Sequence, residues 1–169
     1  RNLPKETEWV EFKHNNADPQ EIGEEISALA NSAALAKKTC GYLVWGIEDS
    51  THNILGTDFQ PKSKKIGNEE LESWLLHLLA PKINFSFYEI NTEQGRVILL
   101  EIERAFRHPV QFKGVEHVRI SSYTKPLKAF PEKERQLWRI FDTTPFEDLL
   151  SMDNIDSDAV LRLLDYPAY

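Results

Sequence analysis

The chain alternates short apolar runs with polar breaks, and the period of each run indicates the element it builds. In Glu6-Thr-Glu-Trp-Val-Glu-Phe-Lys13, Trp9, Val10 and Phe12 are interleaved with charge. This two-residue rhythm is that of a strand, with Glu11 and Lys13 on the face opposite Val10 and Phe12. The rhythm then lengthens: Ile22, Ile26, Leu29, Ala30 and Ala33 share one helical face. Asp18 is placed to cap this helix, Pro19 suits its first position, and Glu21 completes a capping box. Small residues fill its second half, so it is expected to pack closely on a sheet. The densest run is Tyr42-Leu-Val-Trp45, extended by Ile47 beyond Gly46. It is too short for an average helix and rich in strand formers, which predicts a buried strand covered on both faces. Gly46 permits a close backbone approach or a bulge there.

Downstream, Ser50 to Asn53 reads as a turn, Ile54 to Phe59 as a short hairpin partner, and Lys62, Lys64 and Lys65 as a basic loop. Asn68-Glu-Glu70 opens a second helix with Leu71, Trp74, Leu75, Leu78 and Leu79 inward, stopped by Ala80-Pro81. Ile83 to Ile90 and Val97 to Ile102 alternate as strands around a turn at Asn91 to Gly95. His108 to Val110 and Val115 to Ile120 add strands, and Pro131 to Phe141 a third helix. The expected fold is α+β: a mixed, mainly antiparallel sheet packed against two or three helices. It occupies residues 1–141, followed by an acidic linker and helix over 142–169 that lead towards a downstream domain of the same full-length chain.

Composition narrows the function. A chain of 169 residues holds one domain with a real core. No segment approaches the roughly 18 consecutive apolar residues of a membrane span. Arg1 stands where a Met starts a natural chain, and no secretory run follows it, so the expectation is a fragment of a longer cytoplasmic protein. The single Cys40 excludes an internal disulfide and fits a reducing compartment. No phosphate-cradling glycine loop is present, which argues against ATP or NAD. The net charge of −7 is unevenly spread, because residues 142–169 hold seven acids and one base. Between Arg104 and Arg139, nine Lys or Arg face three Glu. There Lys113, Arg119, Lys125 and Lys128 alternate with Phe112, Val118, Tyr123 and Phe130, a pattern suited to phosphate contact and base stacking.

Four ordered motifs sharpen this picture: Glu6-x4-Glu11-Phe-Lys, a helix ending in Ser27-Ala-Leu-Ala-Asn31, Gly41-Tyr-Leu-Val-Trp-Gly-Ile-Glu-Asp49, and Pro109-x-Gln-Phe-x-Gly-x-x-x-Val-Arg119-x-Ser-Ser. Together, from about Glu6 to about Lys128, they resemble the Schlafen AlbA_2 domain. The resemblance implies an α+β domain at the N-terminus of bacterial multidomain proteins described as DNA-binding or transcriptional regulators. It also implies kinship with animal ribonucleases that cut transfer RNA with two Glu and one Asp, which by motif position are Glu6, Glu11 and Asp49. Two departures stand out. The connection from Asn31 to Gly41 is longer than the family's and carries one Gly, and the nuclease relatives hold two copies of the unit where this chain holds one.

Two readings of function follow. In the first, the chain is a nucleic-acid-binding module of a larger transcriptional regulator, making contact through Lys13, Lys113, Arg119, Lys125 and Lys128. In the second, it is a metal-dependent endoribonuclease whose Glu6, Glu11 and Asp49 hold Mg²⁺ or Mn²⁺, hard cations suited to carboxylate oxygen. Glu6 and Glu11 are an odd number of positions apart, so their convergence requires Glu6 outside the strand or a bulge near Thr7-Glu8. The missing second copy predicts a homodimer joined about a two-fold axis, with Val160, Leu161 and Leu164 as candidates for burial.

Overall fold

The structure is a computed structural model in which residues 7–48 and 50–143 are described. In chain order the elements are β1 (Val10–Lys13), α1 (Pro19–Leu35), β2 (Cys40–Trp45), β3 (Lys65–Ile66), β4 (Glu69–Glu70), α2 (Leu71–Leu78), β5 (Leu79–Ala80), β6 (Phe85–Thr92) and β7 (Gly95–Glu103). Then come β8 (Gln111–Phe112), β9 (Val115–Ile120), β10 (Tyr123–Pro126) and α3 (Pro131–Thr143). The strands form one sheet in the order β1-β2-β7-β6 and a second in the order β10-β9-β8-β5, with β3-β4 as a separate hairpin. Only β1 and β2 pair in parallel, and α1 is the crossover between them. This is the expected α+β fold with mainly antiparallel pairing.

α1 begins as its sequence predicts. Asp18 accepts a hydrogen bond from the Glu21 amide at 3.0 Å, and Pro19 occupies the first turn. Glu21 does not close the capping box: its carboxylate accepts from the Asn16 side chain, while Asn16 Oδ1 accepts from the Asp18 amide. The helix does not lie on a single sheet. It packs against β2 and β7 on one side and β8 and β9 on the other, so residues 25–34 are all buried. Its small residues serve both contacts. A Cβ on Gly23 would stand 2.2 Å from the Phe112 ring, and one on Gly41 2.8 Å from the Leu29 carbonyl oxygen. Ser27, Asn31 and Ser32 form a polar seam against the second sheet. Asn31 donates to the carbonyls of Val110 and His117 and accepts from the Val110 amide, while Ser27 and Ser32 accept from the amides of His117 and Arg119.

The central strand departs from expectation in its cover. Leu43 and Trp45 are buried, and the Trp45 ring packs tilted against Phe59 with centroids 4.7 Å apart. Tyr42 and Val44 on the other face are only partly buried. With Trp9, Phe12, Ile90 and Leu99 they line an open apolar cavity of about 490 Å³ on the outer face of the first sheet. Among the described residues, the helices cover one face of this sheet and leave the other open. β2 ends at Trp45, and Gly46 adopts φ +97 where a Cβ would stand 2.8 Å from the Arg96 carbonyl oxygen, so the glycine serves close approach outside the strand.

Other boundaries also moved. Thr7 and Val10 exchange backbone hydrogen bonds, so the chain reverses there and the first strand starts at Val10 rather than Glu6. Asn68 to Glu70 do not open a helix, because Glu69 and Glu70 pair with Ile66 and Lys65. Ile54 forms a single bridge to Ile47 rather than a hairpin strand. The short strand near His108 lies at Gln111–Phe112, pairing with both β5 and β9. No helix among the described residues is long and apolar enough to cross a membrane.

Candidate nucleic-acid interface

Of the three acids the resemblance singles out, Glu11 is described, and Glu6 and Asp49 lie outside the described residues. β1 runs between β2 and the edge of the molecule and turns Glu11 away from Phe12, towards α1 and β9. There Glu11 pairs with Arg119, with Lys13 at 3.9 Å from its other oxygen. Arg119 also reaches the Glu25 carboxylate and the Thr124 hydroxyl, each at 3.2 Å. The result is a buried cluster of two carboxylates around one guanidinium that is 1% exposed.

Arg119 was expected on the surface as a phosphate contact. It is instead committed in the interior, because β9 turns it onto α1 and β1, where only carboxylates compensate its charge. Glu25 was missed. Its signal lay in the sequence: it falls among Ile22, Ile26 and Leu29 on an apolar helix face, where a charge must have a partner.

The same surroundings bear on metal. Glu11 is neutralised by two cations, and among the described residues no three His, Cys, Asp or Glu side chains stand together in a metal-holding arrangement. Of the three expected ligands, Glu11 alone lies among the described residues, and its carboxylate already meets Arg119 and Lys13. Burial first, and then Glu101, push the Cys40 thiol up from its ordinary range, the direction opposite to that of an activated thiolate.

The remaining cations are spread over the surface. Lys13 is nearly buried and lies 3.8 Å from Glu21 as well as near Glu11. Lys113, at φ +49, stands over the rings of Trp74 and Phe112 at 5.2 and 5.5 Å. Lys125 differs, because it and Tyr123 project from the same face of β10, an edge strand, and its ammonium lies 5.7 Å from the Tyr123 ring. Tyr123 is 65% exposed, and Lys128 is exposed on the 3-10 turn that follows. Among the described residues, an exposed ring, the lysine beside it and an unpaired strand edge thus stand together, with Lys128 exposed shortly after them.

The family profile described as "Schlafen, AlbA_2" matches residues 6–128. The chain belongs to the Schlafen AlbA_2 family. This is a family of nucleic-acid-related domains, and within it the chain's Arg119 cluster ties together three of the motifs read from the sequence. No curated protein matches. Among solved structures, the DIP2311 protein from Corynebacterium diphtheriae is similar, with a TM-score of 0.47 and 18% identity. The likeness covers 74% of this chain and 23% of that one, so the chain spans about a quarter of the length of that protein.

Proposed function

We propose that this AlbA_2 domain is a nucleic-acid-binding module of a larger transcriptional regulator and that it makes contact through β10 and the turn after it. The observation that carries the reading is the exposed Tyr123 ring with Lys125 beside it and Lys128 following on a free strand edge. Tyr123 offers a face for an unstacked base, and the two ammonium groups meet the flanking phosphates. The remaining expected contacts, Lys13 and Lys113, have partners within the protein and add local positive charge. The reading as a metal-dependent endoribonuclease draws no support from Glu11, whose carboxylate is occupied by Arg119 and Lys13.

The test is fluorescence anisotropy of a labelled single-stranded oligonucleotide across a salt series. Binding should weaken linearly in log-log form, by about 0.7 in slope for each phosphate contact. Tyr123→Ala should weaken it by about 1–3 kcal/mol, the loss of one stacked base. A salt slope of zero, or a Tyr123→Ala variant that binds as the parent does, rules the reading out.

A further inference from the structure

The first sheet ends at β6, and among the described residues no backbone pairs with the outer side of this strand. It is an edge of eight residues whose register with β7 runs unbroken from Phe85, opposite Ile102, to Thr92, opposite Gly95. Every second residue of such a strand turns its amide and carbonyl to the open side, a template for one more strand. We infer that a second copy of this chain supplies that strand: β6 pairs antiparallel with the partner's β6 about a two-fold axis, and two four-stranded sheets become one continuous sheet.

The other sheet edges carry the devices that keep strands apart. β1 has four residues and ends in Lys13, β5 has two residues, and β10 contains Lys125 and Pro126. Brevity, lysine, proline and bulges are how natural sheets blunt their edges. β6 has none of them. Phe85-Ser-Phe-Tyr-Glu-Ile-Asn-Thr92 holds no Lys and no Pro, and its one charge, Glu89, lies 3.3 Å from Arg96. The register turns Tyr88 and Ile90 onto the outer face of the sheet, level with Leu99 and Val97 of the apolar trough, and leaves them 48% and 45% exposed. Phe85, Phe87 and Glu89 take the inner face, where Phe87 packs against Phe59.

Charge selects the register between the copies. Antiparallel pairing sets residues of one face opposite each other, and the two most central choices put either Tyr88 or Glu89 on the axis. Glu89 on the axis would bring two carboxylates face to face, which is destabilising. With Tyr88 on the axis, the two Tyr88 rings meet on the outer face, Ser86 lies opposite the partner's Ile90, and Phe87 lies opposite the partner's Glu89. Lys62 completes the arrangement. It is exposed on the loop after Phe59 and lines a cavity of about 360 Å³ with Phe87 and Glu89 on the inner side of the sheet. None of the described ion pairs includes it. The axis passes through the sheet, so both inner faces lie on the same side, and Lys62 of each copy meets the Glu89 carboxylate of the other.

This interface is separate from the nucleic-acid surface and does not rest on it. β1 is the opposite edge of the first sheet, and the Glu11–Arg119–Thr124 contacts hold β10 beside it, so both β10 surfaces stay free in the dimer. It also differs from the homodimer expected from the sequence, whose candidates Val160, Leu161 and Leu164 lie outside the described residues. One strand edge and one loop from each copy is a modest contact beside the roughly 800 Å² per partner of a standard interface, so the dimer should form reversibly at micromolar concentration.

Sedimentation velocity of the whole chain over a micromolar concentration series tests this, with circular dichroism to confirm that each variant is folded. The parent should pass from monomer to dimer and stop there, because the pairing closes on itself. Tyr88→Lys sets two like charges on the axis and should leave a monomer throughout. Lys62→Glu should raise the dissociation constant by about 3- to 30-fold, since two contacts are reversed at once, and Lys62→Glu/Glu89→Lys should recover the loss. A parent that stays monomeric at every concentration overturns the inference, as does growth beyond the dimer. A dimer that survives Tyr88→Lys and is dispersed by Val44→Glu lies on the apolar trough, which overturns it equally. Failure of the double exchange to recover the affinity lost in Lys62→Glu overturns the register centred on Tyr88.

Discussion

Arg119 carries a full charge at 1% exposure, which is tolerable only because Glu11 and Glu25 meet it from two different elements. Glu11→Gln removes one of those charges while keeping the shape of the side chain. Because breaking a buried pair strands its partner, we expect a loss of about 3 kcal/mol in urea unfolding. A loss under about 1 kcal/mol would show that Glu11 is not part of the structural cluster and would return it to the candidates for chemistry. His117, next but one along β9, is the other buried titratable group of note. Burial holds its imidazole below the usual histidine range, with the Glu24 carboxylate acting in the opposite direction. A base with a lowered pKa binds fewer protons folded than unfolded, so its stability contribution is complete above about pH 6.5 and is lost as the pH falls below it. The urea midpoint should therefore drop between about pH 7.5 and pH 5.5, and His117→Gln should flatten that drop. Equal drops in parent and variant would exclude His117 as its source.

At the scale of the element, α1 is held by a hydrogen-bonded seam as much as by apolar packing. Asn31 is its hub, since its side chain meets both the amide and the carbonyl of Val110 and the carbonyl of His117. Asn31→Ala leaves a buried amide without its partner, and unsatisfied buried groups cost about 1–3 kcal/mol each. A loss of about 3 kcal/mol by chemical denaturation is expected. Asn31→Asp should cost at least as much, because it puts a charge where two carbonyls need donors. On the opposite side the contact is steric. Gly41→Ala drives a Cβ to 2.8 Å from the Leu29 carbonyl oxygen, a backbone atom with no rotamer by which to move aside. About 1–3 kcal/mol of destabilisation should follow, measured in the same way. If Gly41→Ala unfolds with the parent's midpoint, α1 and β2 are not in the close contact described.

For the molecule as a whole, the unusual feature is a first sheet that, among the described residues, has helices on one face and an open apolar trough on the other. Trp9, Tyr42, Val44, Ile90 and Leu99 line it, and almost no polar atom does. A trough of about 490 Å³ is within the usual range for drug-sized ligands, so the folded chain should enhance the fluorescence of an apolar dye such as anilinonaphthalene sulfonate. Val44→Glu, at a partly exposed position, should abolish the enhancement without unfolding the chain. Full enhancement with Val44→Glu would place the dye elsewhere.

What the sequence by itself determined is what depends on neighbours along the chain. The cap at Asp18, the strand Cys40–Trp45, the β6–β7 hairpin and the alternation that turns Glu11 away from Phe12 are local consequences of spacing and side-chain type. The family was legible too, because its motifs are ordered along the chain. The tertiary structure decided everything that depends on which surfaces meet. Small and polar residues on α1 looked like one closely packed face, and only a second sheet behind the helix made them a seam. Arg119 looked like a surface cation in a basic stretch, and only the approach of Glu11 and Glu25, 108 and 94 positions away, buried it. Phe59 and Phe87 are far apart in sequence and meet only because β6 lies beside the loop that Arg96 fastens to the sheet. Periodicity records which side of an element is apolar, but it cannot record what comes to lie against that side.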